Sequence, residues 1–217
     1  AFRNSSTNAY EVGLKGSALE GKASFTASLF FNDTSDEQFF IFNPLAGRFQ
    51  VENADSESYG AEFEFAARLA EGFFVTGGLG FLDTKATSDS LGGSVKIGNE
   101  IPYAPEISYN FGAQYLFSAS GLGLEGDFFL RGEYQGVGTR MMDPANTFEL
   151  ESYQLANLRF AYRAGQYELY LFGRNVFDES LVSSGFSAGF NQAEMMPVIG
   201  GVPGLPRMYG AGFEMRF

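Results

Sequence analysis

The sequence predicts an all-β fold: an antiparallel up-and-down transmembrane β-barrel, represented by about nine strands. Three observations predict it. Apolar and polar residues alternate with a period of two over segments of about 12 residues, longer than the strands of most globular sheets. Glycine (28) and phenylalanine (25) are abundant while charged residues make up only 18%, a balance that favours strands and turns over helices. The connections between segments alternate between short and long.

The expected strands lie near 8–17, 23–42, 47–69, 73–86, 101–117, 123–136, 148–163, 167–179 and 205–217. In the third, Tyr59, Ala61, Phe63 and Phe65 oppose Gly60, Glu62 and Glu64. In the fifth, Ile107, Tyr109, Phe111, Ala113, Tyr115 and Phe117 oppose Ser108, Asn110, Gly112 and Gln114. The sixth sets Leu124, Phe128, Leu130 and Tyr134 against Glu125, Asp127, Arg131 and Glu133. The seventh sets Ala156, Leu158, Phe160 and Tyr162 against Asn157, Arg159 and Arg163. The last carries Tyr209, Ala211, Phe213, Met215 and Phe217 opposite Gly210, Gly212, Glu214 and Arg216. Each segment thus has one apolar and one hydrophilic side.

Short connections fall at "ALEGK", "LAEG", "SASG" and "RAGQ"; long ones fall around Pro44 and at 87–100, 138–147 and 180–204. Every second connection of a meander lies at the same end, so one rim has tight turns and the other long loops, as in bacterial outer-membrane barrels. A soluble sandwich would also alternate, with its aromatic faces buried against each other. Aromatic residues near strand ends (Tyr103, Phe117, Tyr134, Tyr162, Tyr167, Phe217) and mixed charges on the opposite face favour lipid on one side and a hydrated lumen on the other. Counting back from Phe217 starts the first strand at the long-loop rim. A complete bacterial barrel normally has both ends at the short-turn rim, so residues 1–217 are expected to be a C-terminal portion of a larger barrel.

The remaining composition excludes function classes. A net charge of −12 argues against nucleic acid as a partner. With no His or Cys, a Ser-His-Asp triad, a Cys-His pair and an ordinary zinc site cannot be built, and neither enzymatic activity nor a cofactor is expected. Carboxylate pairs such as Glu62 with Glu64, or Glu125 with Asp127, read as hydrated lumen wall.

The segments "YEVGLKG" (10–16), "SYGAEFEF" (58–65), "IPYAPEISYNFGAQY" (101–115), "LYLFGRNVFDES" (169–180) and "PRMYGAGFEMRF" (206–217) follow one another in an ordered set. Together they resemble the C-terminal half of a TonB-dependent outer-membrane receptor. The resemblance implies the last nine or so strands of a barrel of about 22 around a plugged lumen, with the plug domain and the first half of the barrel outside this sequence. It further implies energy-coupled uptake of a bulky nutrient, most often a ferric siderophore, at the bacterial outer membrane. The periplasmic TonB protein would act through the plug, membrane lipid would surround the barrel, and the barrel-assembly machinery would read Phe217 on the last strand. The alternative is a self-contained small outer-membrane barrel with a structural or passive-channel role.

Candidate lumen-facing residues are Glu62, Glu64, Glu125, Asp127, Arg131, Glu133, Arg159, Arg174 and Arg216, whose arginines and acids read first as ordinary surface ion pairs and, as a second reading, as a charge ladder around the interior. Candidate ligand contacts lie in the long loops at Arg140, Met141, Met142, Phe186, Phe190, Met195 and Met196, where Met and Phe offer apolar surface to a bulky ligand.

Overall fold

The computed structural model describes residues 2–43, 47–191 and 196–216. Its strands are β1 (Ser6–Ala18), β2 (Ala23–Asn43), β3 (Arg48–Ala70), β4 (Phe73–Ala86), β5 (Ile107–Ser118), β6 (Asp127–Val137), β7 (Arg140–Met141), β8 (Glu149–Leu150), β9 (Tyr153–Ala164), β10 (Tyr167–Arg174), β11 (Val182–Asn191), β12 (Met196–Pro203) and β13 (Met208–Met215). Nine of them form one sheet in the order β1-β2-β3-β4-β5-β6-β9-β10-β13, antiparallel throughout, with β1 and β13 at its edges. The hairpins β11-β12 and β7-β8 stand outside it. Here the nine expected strands are found, in an open segment of wall.

Register makes each face continuous. Val12, Leu29, Ala61, Phe81 and Ile107 stand in one cross-strand row. Tyr115, Leu130, Phe160, Leu171 and Ala211 form another. Val12, Leu14, Leu29, Leu169, Leu171 and Phe213 remain more than half exposed, which a sandwich would not allow. The band ends sharply. On β3 it runs from Ala67 to Tyr59, the span of about nine residues that a tilted strand needs to cross a bilayer. The next outward positions are Glu57, its cross-strand neighbour Asp33, and Lys85, which pairs with Glu57 at 3.2 Å.

The excess of glycine and aromatics has a structural cause. Phe25 lies over Gly16, Phe65 over Gly77, Tyr109 over Gly136, Phe172 over Gly210 and Tyr170 over Gly212, each pair directly opposed across two strands. A Cβ on any of these glycines would sit 2.2–2.5 Å from the ring. The bare backbone is a seat for the aromatic.

Beyond the band, β2 and β3 project as a long hairpin. A bulge at Ser35 and Asp36, with Asp36 at φ 55, resets the alternation, so that Phe39 turns to the polar side of the sheet and Phe40 away from it. There the connection 87–106 folds back. Phe39, Ala54, Ala86 and Val95, with Ile41 and Ile101 against them, make a small core. Buried Glu52 fastens it, accepting from Ser90 Oγ (2.5 Å), Ser94 Oγ (3.0 Å), Ser94 N–H (3.3 Å) and Gln50 (2.8 Å).

Some boundaries differ from expectation. Residues 101–106 stay out of β5 because Pro102 and Pro105 interrupt the ladder and Tyr103 adopts φ 61, so Tyr103 belongs to a loop and not to a strand-end girdle. Residues 123–126 turn, with Gly123 and Gly126 at φ 71 and 96, before β6 begins at Asp127. The stretch 148–152 holds only the short β8 before β9. β10 stops at Arg174 because Asn175 (φ 48) and Asp178 (φ 61) bend the chain. The glycine-rich 182–203, read as loop, pairs as β11-β12.

Replacing Gly77 by Val should destabilise the intact protein by about 2 kcal/mol, because the Phe65 ring must leave its seat. Gly121→Ala, which meets nothing within 4 Å, should change stability by less than about 0.5 kcal/mol. Urea unfolding in detergent micelles measures both.

Candidate functional site

The polar face carries the sequence-predicted wall residues in separate groups. Glu62 and Glu64 on β3 overlook Gly78 and Gly80, with Ser108 and Asn110 beyond, around a cleft of about 150 Å³. Glu125 is not on the wall. It sits in the β5-β6 turn, where its carbonyl accepts from Tyr162 Oη at 2.6 Å, so the Glu125 and Asp127 pair does not share a strand face.

The arginines do not form one ladder. Arg131 donates to Glu133 (2.7 Å) on its own strand and to Gln114 (3.0 Å) on β5. Arg159 donates to Glu168 at 2.6 Å, lies 3.5 Å from Glu214 and stacks 3.7 Å from the Tyr170 ring centroid. Arg163 reaches the other Glu168 oxygen at 2.7 Å, and Arg216 approaches it at 3.6 Å. Asp127 opens β6 opposite Arg163. Arg174 has no acid within reach among the described residues and lies 5.6 Å from the Phe172 ring.

Glu168, the hub of this network, is only 4% exposed, and its own strand does not mark it in the sequence. In "YELYLFGR" both faces carry aromatics or aliphatics, which hides the period of two. The signal lay in the tight turn at Gly165 and Gln166: it sets Glu168 directly opposite Arg163.

At the other rim the long connections are bonded to one another. Asn146, at φ 53, accepts from Glu100 N–H (2.6 Å) and donates to Glu100 O (2.9 Å), while Asn99 donates to Pro144 O (2.7 Å). Tyr103 N–H donates to Met141 O, and its hydroxyl donates to Gly185 O of β11 at 2.5 Å. Arg140 is 5% exposed, donates to Ser183 O at 3.1 Å and lies over Tyr153. Met142 is 6% exposed and packs against Gly185. Expected to meet a ligand, Arg140 and Met142 are instead occupied inside the rim; Met141 is half-buried. Phe186 and Phe190 fall on β11 and Met196 on β12, whereas Met195 and Phe217 lie outside the described residues. In the 87–106 connection, burial first, then Glu106, Glu149 and Asp83, hold the Glu100 carboxyl above its ordinary 4.5. Among the described residues no group of His, Cys, Asp or Glu is placed to hold a metal ion.

Residues 3–176 match a family model described as TonB dependent receptor-like, beta-barrel. The whole chain superposes on the ferric yersiniabactin uptake receptor FyuA from Yersinia pestis with a TM-score of 0.82 at 19% identity, covering 30% of that chain. It also superposes in full on the copper transporter OprC, with a TM-score of 0.77, 18% identity and 32% of that chain covered. Over 98% of its length it matches the pyoverdine receptor FpvA from Pseudomonas aeruginosa, with a TM-score of 0.67, 18% identity and 30% of that chain covered. The chain therefore spans about a third of the length of the structures it resembles.

Glu168→Ala leaves Arg159 and Arg163 without their main acceptor; the arginines are partly solvated, so the loss should be about 1–3 kcal/mol, read as a lower urea midpoint in micelles. Because the folded Glu100 carboxyl binds its proton more tightly than the unfolded one, stability should fall as pH rises through that raised range. Glu100→Gln should therefore slow hydrogen exchange of residues 95–104 at pH 7 and have little effect below pH ~4.

Proposed function

Because the chain belongs to the TonB-dependent receptor-like β-barrel family, we propose that it forms the C-terminal part of the barrel of an energy-coupled importer for a bulky nutrient, a ferric siderophore being the favoured ligand. The family is one of transporters and receptors, not of enzymes, and its place is the outer membrane of Gram-negative bacteria. One observation supports the transport reading most: the wall is apolar and exposed on one face and charged at the same height on the other. Charge at membrane depth is tolerated where it lines a hydrated or protein-filled lumen.

In this proposal the plug domain and the N-terminal barrel half belong to the rest of the protein, and TonB pulls on the plug. Glu62, Glu64, Asp127, Arg131, Glu133, Arg159, Arg174 and Arg216 face the lumen and the plug within it. Lipid covers the apolar band. The assembly machinery reads the last strand, with Phe217 as its terminal aromatic. Ligand contact falls to Phe186, Phe190, Met195 and Met196 of the 180–204 region, because Arg140 and Met142 are used within the rim. Siderophore receptors are among the similar structures, and a copper transporter is too, so iron is chosen on the weight of neighbours.

Uptake of radiolabelled iron on a panel of siderophores, by cells with and without the gene, tests the proposal. Uptake should require the gene and stop when the proton gradient is collapsed. Gene-dependent uptake that survives collapse would overturn energy coupling. Arg159→Glu should lower uptake by disturbing plug seating, with wild-type uptake as the contrary result. Leu130→Arg, on the lipid face, should cost about 2–4 kcal/mol of barrel stability, measured by unfolding in micelles.

A further inference from the structure

The polar wall breaks one rule of sheet pairing. Arg131 of β6 and Arg159 of β9 are directly opposed across the two strands, and like charges in that position are destabilising. Each is drawn sideways, Arg131 to Glu133 and Gln114, and Arg159 to Glu168. Between them and Arg174 lies a cavity of about 300 Å³, lined by Arg131, Glu133, Asn157, Arg159, Tyr170 and Arg174 among others. Glu133 is the one carboxylate in that lining, against three guanidinium groups. The cavity lies at the depth of Leu130, Phe160 and Leu171 on the outward face, near the middle of the apolar band.

Donors are left over here. Arg174 makes neither a hydrogen bond nor an ion pair among the described residues; its contact is with the face of Phe172. Asn157 Oδ1 accepts from Asn175 N–H at 3.1 Å, which leaves the Asn157 amide NH₂ without an acceptor among the described residues. Tyr170 and Phe172 lie across Gly212 and Gly210, so the rings that carry Arg159 and Arg174 are themselves seated on backbone. The guanidinium groups of Arg159 and Arg174 are thus presented from rings seated on backbone.

We propose that this cavity is a carboxylate-binding site on the lumen wall, in which Arg131, Arg159 and Arg174 share one anionic group and Asn157 donates to it. Planar guanidinium forks match a planar carboxylate in a bidentate manner, and an anion between Arg131 and Arg159 removes their repulsion. The proposal rests on the lumen-facing reading of this wall. The carboxylate comes either from an acidic side chain of a domain seated in the lumen or from a diffusible solute passing it.

The test uses the full-length protein in detergent micelles, with sodium citrate as the probe and sodium chloride at matched ionic strength as the screen. Thermal unfolding midpoints are read for wild type, Arg174→Gln, Arg174→Lys and the control Arg68→Gln, whose arginine stacks on Phe74 away from the cavity. If a side chain of the protein fills the site, Arg174→Gln lowers the midpoint without citrate, Arg174→Lys recovers part of it, and citrate has little effect on wild type. If a solute fills it, the citrate-free midpoints agree, and citrate raises the wild-type midpoint with saturation. The half-saturating citrate concentration is then about tenfold higher in Arg174→Gln. Arg68→Gln behaves as wild type in both cases. Equal midpoints together with equal citrate responses in wild type and Arg174→Gln overturn the proposal. An uptake assay that fails while either of these Arg174 results holds would strike at the import reading and leave the site standing.

Discussion

The structure depends on backbone hydrogen bonding in a medium that offers none. Inside a bilayer each strand must give its N–H and C=O groups to its neighbours, because an unsatisfied group there costs several kcal/mol. Once the ladders are fixed, side chains have only two directions, and adjacent residues must suit opposite solvents. The rows through Val12 and Leu130 and the opposite rows through Glu62 and Arg131 are consequences of that restriction. A slip of one residue in any pairing would turn arginines toward lipid and leucines toward the lumen, so the chemistry of the faces also holds the register.

Crowding sets a second condition. Strands of this length, carrying so many aromatics, cannot place a large ring opposite another side chain at every position. Glycine solves the problem locally: the rings of Phe25, Phe65, Tyr109, Phe172 and Tyr170 each cross to a bare backbone on the neighbouring strand. The same device serves both faces. On the lipid side it flattens Phe65 and Tyr109; on the polar side it lays down Tyr170, on which Arg159 rests. A compositional oddity of the sequence is thus part of how the wall presents charge.

The faces were legible because alternation is local and strong, as in β5, β6 and β9, and the strand bounds 23–42, 47–69 and 73–86 lie within a residue of β2, β3 and β4. What escaped depended on long-range pairing or on single backbone angles. Glu168 is silent in its own strand and becomes a hub only when β9 and β13 close on β10. Arg140 looked like a loop arginine open to ligand, and only the approach of β11, 42 and 43 residues later, supplies carbonyls that bury it. Tyr103 continues an alternating stretch in sequence, yet the two flanking prolines and its positive φ lift it out of the sheet.

The molecule therefore has two kinds of order. In the wall, each residue's environment follows from its parity, and substitution by another residue of the same class keeps the design. At the loop rim parity has no authority. Glu52 under Ser90 and Ser94, Asn146 on the Glu100 backbone and the Tyr103 hydroxyl on Gly185 are individual bonds between distant segments, each made by a polar atom with a particular reach. A wall built on parity tolerates sequence drift, which is consistent with superposition on solved structures at 18–19% identity. A rim built on individual bonds does not follow from the wall, so a shared wall does not carry a shared rim with it.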